Sequence, residues 1–146
     1  ESPAVAAMLA IERDEGLATG ECYDAFANRV PAIKRELLAF LIEARNAGKS
    51  VAGYGAAAKG NTLLNYCGVR EDMVAFVADK NPTKQGRLLP GSRIPVVDPS
   101  AIMERKPDYL LILPWNIKSE IIAELAAIRN WGGRFVVPIP ALEVLP

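Results

Sequence analysis

The chain has 146 residues, of which 51% are hydrophobic. A chain of this length and composition can form one well-buried core but is too short for two. Lysine plus arginine equals aspartate plus glutamate at 17 each, so the totals imply no basic face and argue against a nucleic-acid partner. Histidine, the commonest general base and metal ligand, does not occur at all. We therefore expect no metal site and no catalytic residue in this segment.

Cysteine content and hydropathy indicate a cellular setting. Cys22 and Cys67 lie far apart and form no CxxC pair, which is typical of two reduced thiols in a cytosolic protein. The longest apolar run, 109–115, is too short to cross a bilayer, and no signal peptide opens the chain. We expect a soluble, cytoplasmic protein without a membrane partner. Because the chain begins Glu-Ser-Pro without an initiator methionine, we also expect it to be part of a longer protein.

Two helices are predicted before residue 49. Ser2 is a suitable N-cap, and helix formers fill 4–15 until Gly16. Apolar residues recur at helical spacing over 24–47, and Gly48 fits the position just past the end, while Pro31 should kink this helix or divide it in two. We predict that 1–48 is a helical connector packed on a domain formed by 49–146.

Beyond Gly48, short apolar runs alternate with helical segments. The predicted strands are 50–54, 73–78, 94–97, 109–113 and 134–137, and the predicted helices are 59–67, 100–104 and 118–130. Asp98 should cap the second of these helices. The alternation predicts an α/β fold, a Rossmann-like three-layer sandwich around a five-stranded, mainly parallel sheet. Right-handed crossovers favour the strand order 3-2-1-4-5.

That order places the carboxyl ends of the first and fourth strands side by side, where open α/β sheets bind ligands. The glycine turn after the first strand should therefore face residues 114–116. The segment 80–93 is long for a loop in a compact domain, and such loops are usually functional or disordered. Because it begins at the same edge of the sheet, we expect a function for this loop and its cations, which are Lys80, Lys84, Arg87 and Arg93.

The segment 51–65 reads as a phosphate-binding strand, turn and helix. Gly53 and Gly55 allow an anion to approach the main chain, the free N–H groups of the next helix carry partial positive charge, and Lys59 adds a full one. The spacing Gly53-x-Gly55-x-x-Ala58 fits a loose dinucleotide fingerprint. Asp79, about 20 residues further on, is where a ribose-binding acid is expected.

Other interpretations of these residues remain open. A P-loop is disfavoured because Asn61 stands where that motif requires lysine. The glycines could serve only a tight turn and close helix packing, with Asp79 a solvated strand end. Tyr54 could present a ligand-facing hydroxyl or simply end its strand. Trp115 could stack on a base or sugar or cap the sheet, and Asn116 could contact ligand or cap a helix.

Several motifs in order resemble the C-terminal domain of S-adenosylmethionine-dependent sugar C-methyltransferases, which act on nucleotide-activated deoxysugars. They are GYGAAAKGNTLLN at 53–65, DKNPTKQG at 79–86, PGSRIP at 90–95 and PWN at 114–116. The resemblance spans about 23–140. It implies a longer enzyme with an N-terminal zinc-binding region, a central domain that holds the methyl donor and catalytic base, and this domain, which helps enclose the sugar nucleotide.

The reaction implied by the resemblance removes a proton beside a sugar ketone and lets the enolate attack the sulfonium methyl group. S-adenosylmethionine would bind the central domain, so no cofactor is expected in this segment, and the segment alone is not expected to catalyse the reaction. Its implied role is to bind and orient the nucleotide sugar. The residues assigned to that role are Gly53, Tyr54, Gly55, Lys59 and Asn61 at the anion-facing turn, and Asp79, Lys84, Trp115 and Asn116 around the nucleotide or sugar.

Two alternatives belong to other classes of function. The first is an NAD(P)-binding Rossmann module of a dehydrogenase or sensor, which the fingerprint and Asp79 support directly. The basic loop after Asp79 discriminates against it, because an NAD site does not need this loop. The second is a structural lid or dimerisation domain whose glycine turn binds nothing.

Overall fold

The computed structural model describes residues 2–146, except for the side chains of Glu21 and Ala25. The chain divides into two compact units, one ending at Ala32 and the other spanning Ile33–Pro146. The second unit contains the whole sheet and every predicted site residue.

The N-terminal helices form where the sequence predicts them. Helix α1 (Pro3–Asp14) begins after Ser2, whose hydroxyl accepts a hydrogen bond from the N–H of Val5 at 3.4 Å. Helix α2 (Glu21–Asn46) ends two residues before Gly48, which has a left-handed φ of 68°. The helix is continuous through Pro31, so of the two predicted effects of this proline, division is wrong, and the kink stays a prediction. A proline removes a single N–H donor, and the hydrogen bonds on either side carry the helix past it.

The sheet has six strands in the order β3-β2-β1-β4-β5-β6. The bounds of its strands are β1 (Val51–Tyr54), β2 (Val77–Ala78), β3 (Val96–Val97), β4 (Tyr109–Ile112), β5 (Arg134–Val137) and β6 (Glu143–Leu145). The first five strands are parallel, which confirms the predicted order 3-2-1-4-5. Strand β6 was not predicted. It pairs antiparallel with the edge of β5, a contact that depends on how the chain returns after residue 137.

Three helices complete the Rossmann-like sandwich: α3 (Ala58–Cys67), α4 (Ser100–Arg105) and α5 (Lys118–Glu124). The Asp98 carboxylate accepts the N–H of Ser100 at 2.9 Å from one residue before the N-cap position of α4, which is Pro99. Helix α5 is shorter than predicted, because the chain continues as a 3-10 helix over Ala126–Trp131. Strand β2 is also shorter than predicted, since the N–H groups of Met73 and Val74 bond to the carbonyl of Arg70 in a turn.

Apolar side chains cover both faces of the sheet, as expected of a parallel sheet between helices. One cluster joins α2 and α3 to the sheet through Leu37, Leu41, Leu63 and Leu64. The other joins α4 and α5 to the opposite face through Ile102 and Ile121. Along β1, Val51 belongs to the first cluster, and Ala52 and Tyr54 to the second. Strands β1 and β4 pair through their last residues, Tyr54 and Ile112, so the turns that follow them are neighbours.

Candidate functional site

The turn after β1 packs directly on the residues that leave β4. Gly55 has a φ of 81°, and a Cβ atom there would collide with the Pro114 ring. A Cβ atom at Gly60, in α3, would lie 2.5 Å from the Cβ of Leu113. At Gly53 it would lie 2.9 Å from the side chain of Val77. The predicted contact between the glycine turn and residue 114 is confirmed, and the glycines do serve close packing.

Helix α3 begins without a side-chain cap. Its N-cap residue is Ala57, which has no side chain able to accept a hydrogen bond. Within the described part of the chain, the N–H groups of Ala58, Lys59 and Gly60 have no hydrogen-bond partner, whereas that of Asn61 donates to the carbonyl of Ala57 at 2.9 Å. Unpartnered N–H groups and the helix dipole make such a terminus favourable for an anion.

A groove of about 600 Å³ opens at this helix terminus. One wall comes from the turn and α3, namely Ala56, Ala57, Ala58 and Asn61. The other wall comes mainly from the loop 80–93, with Val96 beside it. It carries two cations, Lys84 and Arg87, and the apolar residues Leu88, Leu89 and Pro90. The groove therefore combines positive charge at the helix start with an apolar wall.

The loop that forms this wall is fixed by hydrogen bonds. The N–H of Gly86 donates to the carbonyl of Val96 at 2.9 Å, and the N–H of Val96 donates to the carbonyl of Arg87 at 2.8 Å. The Asn65 side chain donates to the carbonyl of Pro90 at 2.9 Å, which connects α3 to the end of the loop. Sequence reasoning missed Asn65 as a loop contact, because its partner lies 25 positions away and nothing local marks the pair.

Asp79 lies beneath the glycine turn and is 8% exposed, so its interpretation as a solvated strand end is wrong. One carboxylate oxygen accepts the N–H of Ala56 at 2.7 Å, and the other accepts the N–H of Asn81 at 2.8 Å. The Lys84 ammonium lies 3.2 Å from the first oxygen. Burial alone would raise the pKa of Asp79, but the hydrogen bonds from Asn81, Lys84 and Ala56 together lower it. The group is therefore a carboxylate at neutral pH.

Lys59 points away from the groove. Its ammonium group lies 4.6 Å from the centre of the Trp115 ring and donates a hydrogen bond to the side-chain oxygen of Asn116. Residues 59 and 61 are about 200° apart around the helix axis, so Lys59 and Asn61 face opposite sides of α3. The predicted single rim is thus two clusters, one formed by Lys59, Trp115 and Asn116, the other by Asn61, Lys84 and Arg87 above Asp79.

Three other residues that sequence reasoning singled out lie apart from the groove. The Tyr54 side chain packs in the apolar cluster on the α4 and α5 face, where burial, followed by the Glu124 carboxylate, raises its pKa. Lys80 pairs with Glu124 at 2.6 Å. Arg93 lines a separate cavity of about 300 Å³ with Arg70.

The described residues 2–146 contain neither a metal-binding cluster nor a membrane-spanning helix. Among them, no group of three or more histidine, cysteine, aspartate or glutamate side chains is placed to hold a metal ion. In the same part of the chain, none of the helices combines the length and apolar character that crossing a bilayer requires.

A mainly parallel sheet in this order, with an uncapped helix start where its winding reverses, defines a Rossmann-like α/β domain. A family model described as the C-methyltransferase C-terminal domain matches residues 1–140, and the chain belongs to this family. It is 45% identical to C-methyltransferase NovU from Streptomyces niveus over 98% of this chain and 34% of that protein. Membership in the C-methyltransferase family, which the sequence motifs indicated, is confirmed. The chain spans about a third of that relative's length.

Among solved structures, the UDP-D-quinovosamine 4-dehydrogenase from Vibrio fischeri is a weaker match. The TM-score is 0.49 at 19% identity, and the match covers 67% of this chain and 93% of that one. This likeness bears on neither the ligand nor the function of the chain.

Proposed function

We propose that this domain binds the nucleotide-activated keto-deoxysugar substrate of an S-adenosylmethionine-dependent C-methyltransferase. The observation that carries the proposal is the uncapped start of α3, which opens onto a groove of about 600 Å³ lined by Lys84 and Arg87. A diphosphate needs several N–H donors and positive charge close together, and this place in the fold supplies both.

Different groove residues bind different parts of the ligand. The N–H groups of Ala58, Lys59 and Gly60 bind diphosphate oxygens, and the planar guanidinium group of Arg87 adds a two-pronged contact. Lys84 contributes charge from the floor, although part of its hydrogen bonding goes to Asp79. The wall formed by Leu88, Leu89 and Pro90 suits the flat, weakly polar face of a base or sugar ring.

The cluster on the other side of α3 provides a second contact. Trp115 is half-buried at the end of β4, and Lys59 covers one of its ring faces. We assign Trp115 and Asn116 to the sugar or the base. Gly53 and Gly55 act by shaping the turn, and Tyr54 acts by packing beneath it.

Methyl transfer itself belongs to the longer protein in this proposal. The chain has no histidine, and it matches a third of the length of a C-methyltransferase. We assign S-adenosylmethionine and the catalytic base to the remaining domains, which would be the partners of this one. The domain here contributes by holding the ketone in position for proton removal and for attack on the methyl group, which lowers the entropic cost of bringing the reactants together.

The NAD(P) alternative loses its main support in this geometry. That alternative requires Asp79 to bind a ribose, as an acid does at the end of the second strand in dinucleotide-binding domains. The Asp79 carboxylate instead accepts hydrogen bonds from Ala56, Asn81 and Lys84. No observation favours a lid or a dimerisation surface over a binding groove.

Calorimetric titration of the chain tests the proposal with four ligands: a deoxythymidine-diphosphate keto-deoxysugar, deoxythymidine diphosphate, NAD and S-adenosylmethionine. We expect the first two to bind, and the last two to bind at least about 10-fold more weakly, because S-adenosylmethionine has no phosphate and NAD carries a second nucleoside where the proposed ligand carries a sugar. NAD binding more tightly than the sugar nucleotide would instead favour the dehydrogenase-like function.

A pair of arginine variants locates the site. Arg87→Gln removes a cation that lines the groove, whereas Arg35→Gln removes one from an exposed position on α2, outside it. We expect Arg87→Gln to weaken sugar-nucleotide binding about 10-fold, the usual loss for a charge-assisted hydrogen bond, and Arg35→Gln to leave it unchanged. Equal losses in the two variants would show that the effect comes from net charge and not from this groove.

A further inference from the structure

Asp79 occupies the position at the end of β2 where dinucleotide-binding domains place a ribose-binding acid. In this chain its carboxylate is turned toward the protein. The oxygen that accepts the N–H of Ala56 at 2.7 Å also pairs with Lys84 at 3.2 Å, and the other oxygen accepts the N–H of Asn81 at 2.8 Å. Three donors from the protein therefore surround a carboxylate that is almost fully buried.

We propose that Asp79 is a positioning residue that fixes the start of α3 and the Lys84 side chain, and that the site does not read the ribose 2′-hydroxyl. This inference rests on the proposed function, because it names how the same groove is shaped and which nucleotides it accepts.

Ala56 lies one residue before the N-cap of α3. Its N–H is held by Asp79, and its carbonyl accepts a hydrogen bond from the Lys84 ammonium at 2.9 Å. Both main-chain polar groups of Ala56 are thus bound to one ion pair, in which the Asp79 carboxylate is buried and the Lys84 side chain is 42% exposed. The direction of the N–H groups that follow depends on this residue, because the helix starts from it.

The loop on the other side of Asp79 is fixed in the same way. The Gln85 side chain donates to the main-chain carbonyl of Asp79 at 2.9 Å and to the carboxylate of Asp98 at 3.2 Å. Asp79 therefore lies between the glycine turn and the loop that carries Lys84 and Arg87, and it sets the distance between the two walls of the groove.

The surroundings of the Asp79 carboxylate bear on whether the site distinguishes ribonucleotides from deoxyribonucleotides. Three donors already occupy the Asp79 carboxylate, which offers about four acceptor positions and is only 8% exposed. A ribose hydroxyl could therefore reach it only if the turn at Ala56, the loop at Asn81 or the Lys84 side chain moved. A nucleotide lacking the 2′-hydroxyl loses no contact with this residue. Ribonucleotides and deoxyribonucleotides should therefore bind alike.

The test compares Asp79→Asn with Asp72→Asn, a matched change at an exposed carboxylate. Amide hydrogen exchange at Ala56 and Asn81 is measured by NMR, and affinity is measured for uridine diphosphate and 2′-deoxyuridine diphosphate. The wild type should bind the two nucleotides within about twofold of each other. An asparagine cannot accept with both side-chain atoms, so Asp79→Asn should speed exchange at one of the two amides at least about 10-fold. It should also weaken both nucleotides by a similar factor, whereas Asp72→Asn should change neither readout.

A second variant keeps the inference testable if Asp79→Asn does not fold. Lys84→Met retains the carboxylate and removes its cation, and it should speed exchange at Ala56 by a smaller factor. A wild-type preference for the ribonucleotide of about tenfold or more would overturn the inference, because an acid that reads a ribose produces discrimination of that size. Unchanged exchange at both amides would also overturn it. If neither nucleotide binds, the proposed function fails, and the exchange result still decides whether Asp79 positions the turn.

Discussion

The ammonium group of Lys59 lies 4.6 Å from the centre of the Trp115 ring. It also donates a hydrogen bond to the side chain of Asn116, 57 positions further along the chain. The contact joins the first turn of α3 to the 3-10 helix Trp115–Ile117, which follows β4. It therefore connects the two segments that leave the sheet where its winding reverses, and both contacts of the Lys59 ammonium group are with the protein.

Replacing Lys59 tests whether its contacts with Trp115 and Asn116 stabilise the folded domain. Lys59→Met keeps most of the aliphatic chain and removes both the contact with Trp115 and the hydrogen bond to Asn116. We expect the free energy of unfolding to fall by about 0.5–1 kcal/mol, the usual contribution of an exposed cation–aromatic pair. Urea unfolding followed by tryptophan fluorescence measures it. An unchanged stability, with a loss of sugar-nucleotide affinity of about 1–3 kcal/mol, would instead place the ammonium group against a ligand phosphate.

Gly60→Ala tests the packing of α3 on the end of β4. The new methyl group would lie 2.5 Å from the Cβ of Leu113, a contact that requires the helix to move. We expect a loss of about 1–3 kcal/mol of unfolding free energy, despite the better helix propensity of alanine. Thr62→Ala, at an exposed position of the same helix, should be neutral or slightly stabilising. A Gly60→Ala variant as stable as the wild type would show that close approach at this position is not required.

The stability of the domain should depend on Asp108 in acid. The Lys49 ammonium at 2.8 Å, together with the N–H and hydroxyl groups of Ser50, lowers the pKa of this carboxyl from 3.8 to about 2. Because the folded pKa lies below the ordinary value, the stabilisation is complete above about pH 4 and is lost as the pH falls through 2.

Asp108→Asn removes this dependence. Urea unfolding between pH 2 and 5 should give a stability curve for the variant that is flatter than that of the wild type in this range. The two curves should lie furthest apart near pH 4 to 5 and converge toward pH 2. Parallel curves would mean that Asp108 has the same pKa in the folded and unfolded states. Asp72→Asn, which removes one negative charge from an exposed position, is the matched control.

The chain by itself should transfer no methyl group. Incubated with S-adenosylmethionine and a keto-deoxysugar nucleotide, it should give no methylated product, because the proposal assigns the donor site and the base to other domains. Mass spectrometry of the sugar nucleotide measures the outcome. Adding the remaining domains of a longer C-methyltransferase should restore turnover. Product formed by the chain alone would place a complete active site within these 146 residues.

The candidate site was predictable in outline and not in detail. The glycine turn, the loop 80–93 and residues 114–116 come to one edge of the sheet as the strand order predicts. Whether a side chain faces the groove depends on its angle around α3, and a shift of one or two residues in where the helix begins changes the answer. Lys59 and Asn61 were expected at one rim although both fall in the predicted helix 59–67, where they lie about 200° apart around the axis, and the structure separates them.

Asp79 illustrates a second limit of predicting the site from the sequence. Its position at the end of β2 was evident from the sequence, but its partners Ala56 and Lys84 come from two different segments. Only their packing together shows that the carboxylate is buried. The sequence marks the residue, and the surroundings determine what it does.

The sequence by itself determined the alternation of strands and helices and the strand order, because hydrophobic periodicity, turn residues and the handedness of crossovers are local or nearly local properties. It also indicated the family, through the resemblance of several motifs in order. Tertiary structure decided the addition of β6 to the sheet edge, the side of α3 that each polar residue faces, and the partners of the Asp79 carboxylate. These depend on contacts between residues far apart in the chain, whose distances and angles are fixed only when the helices pack on the sheet.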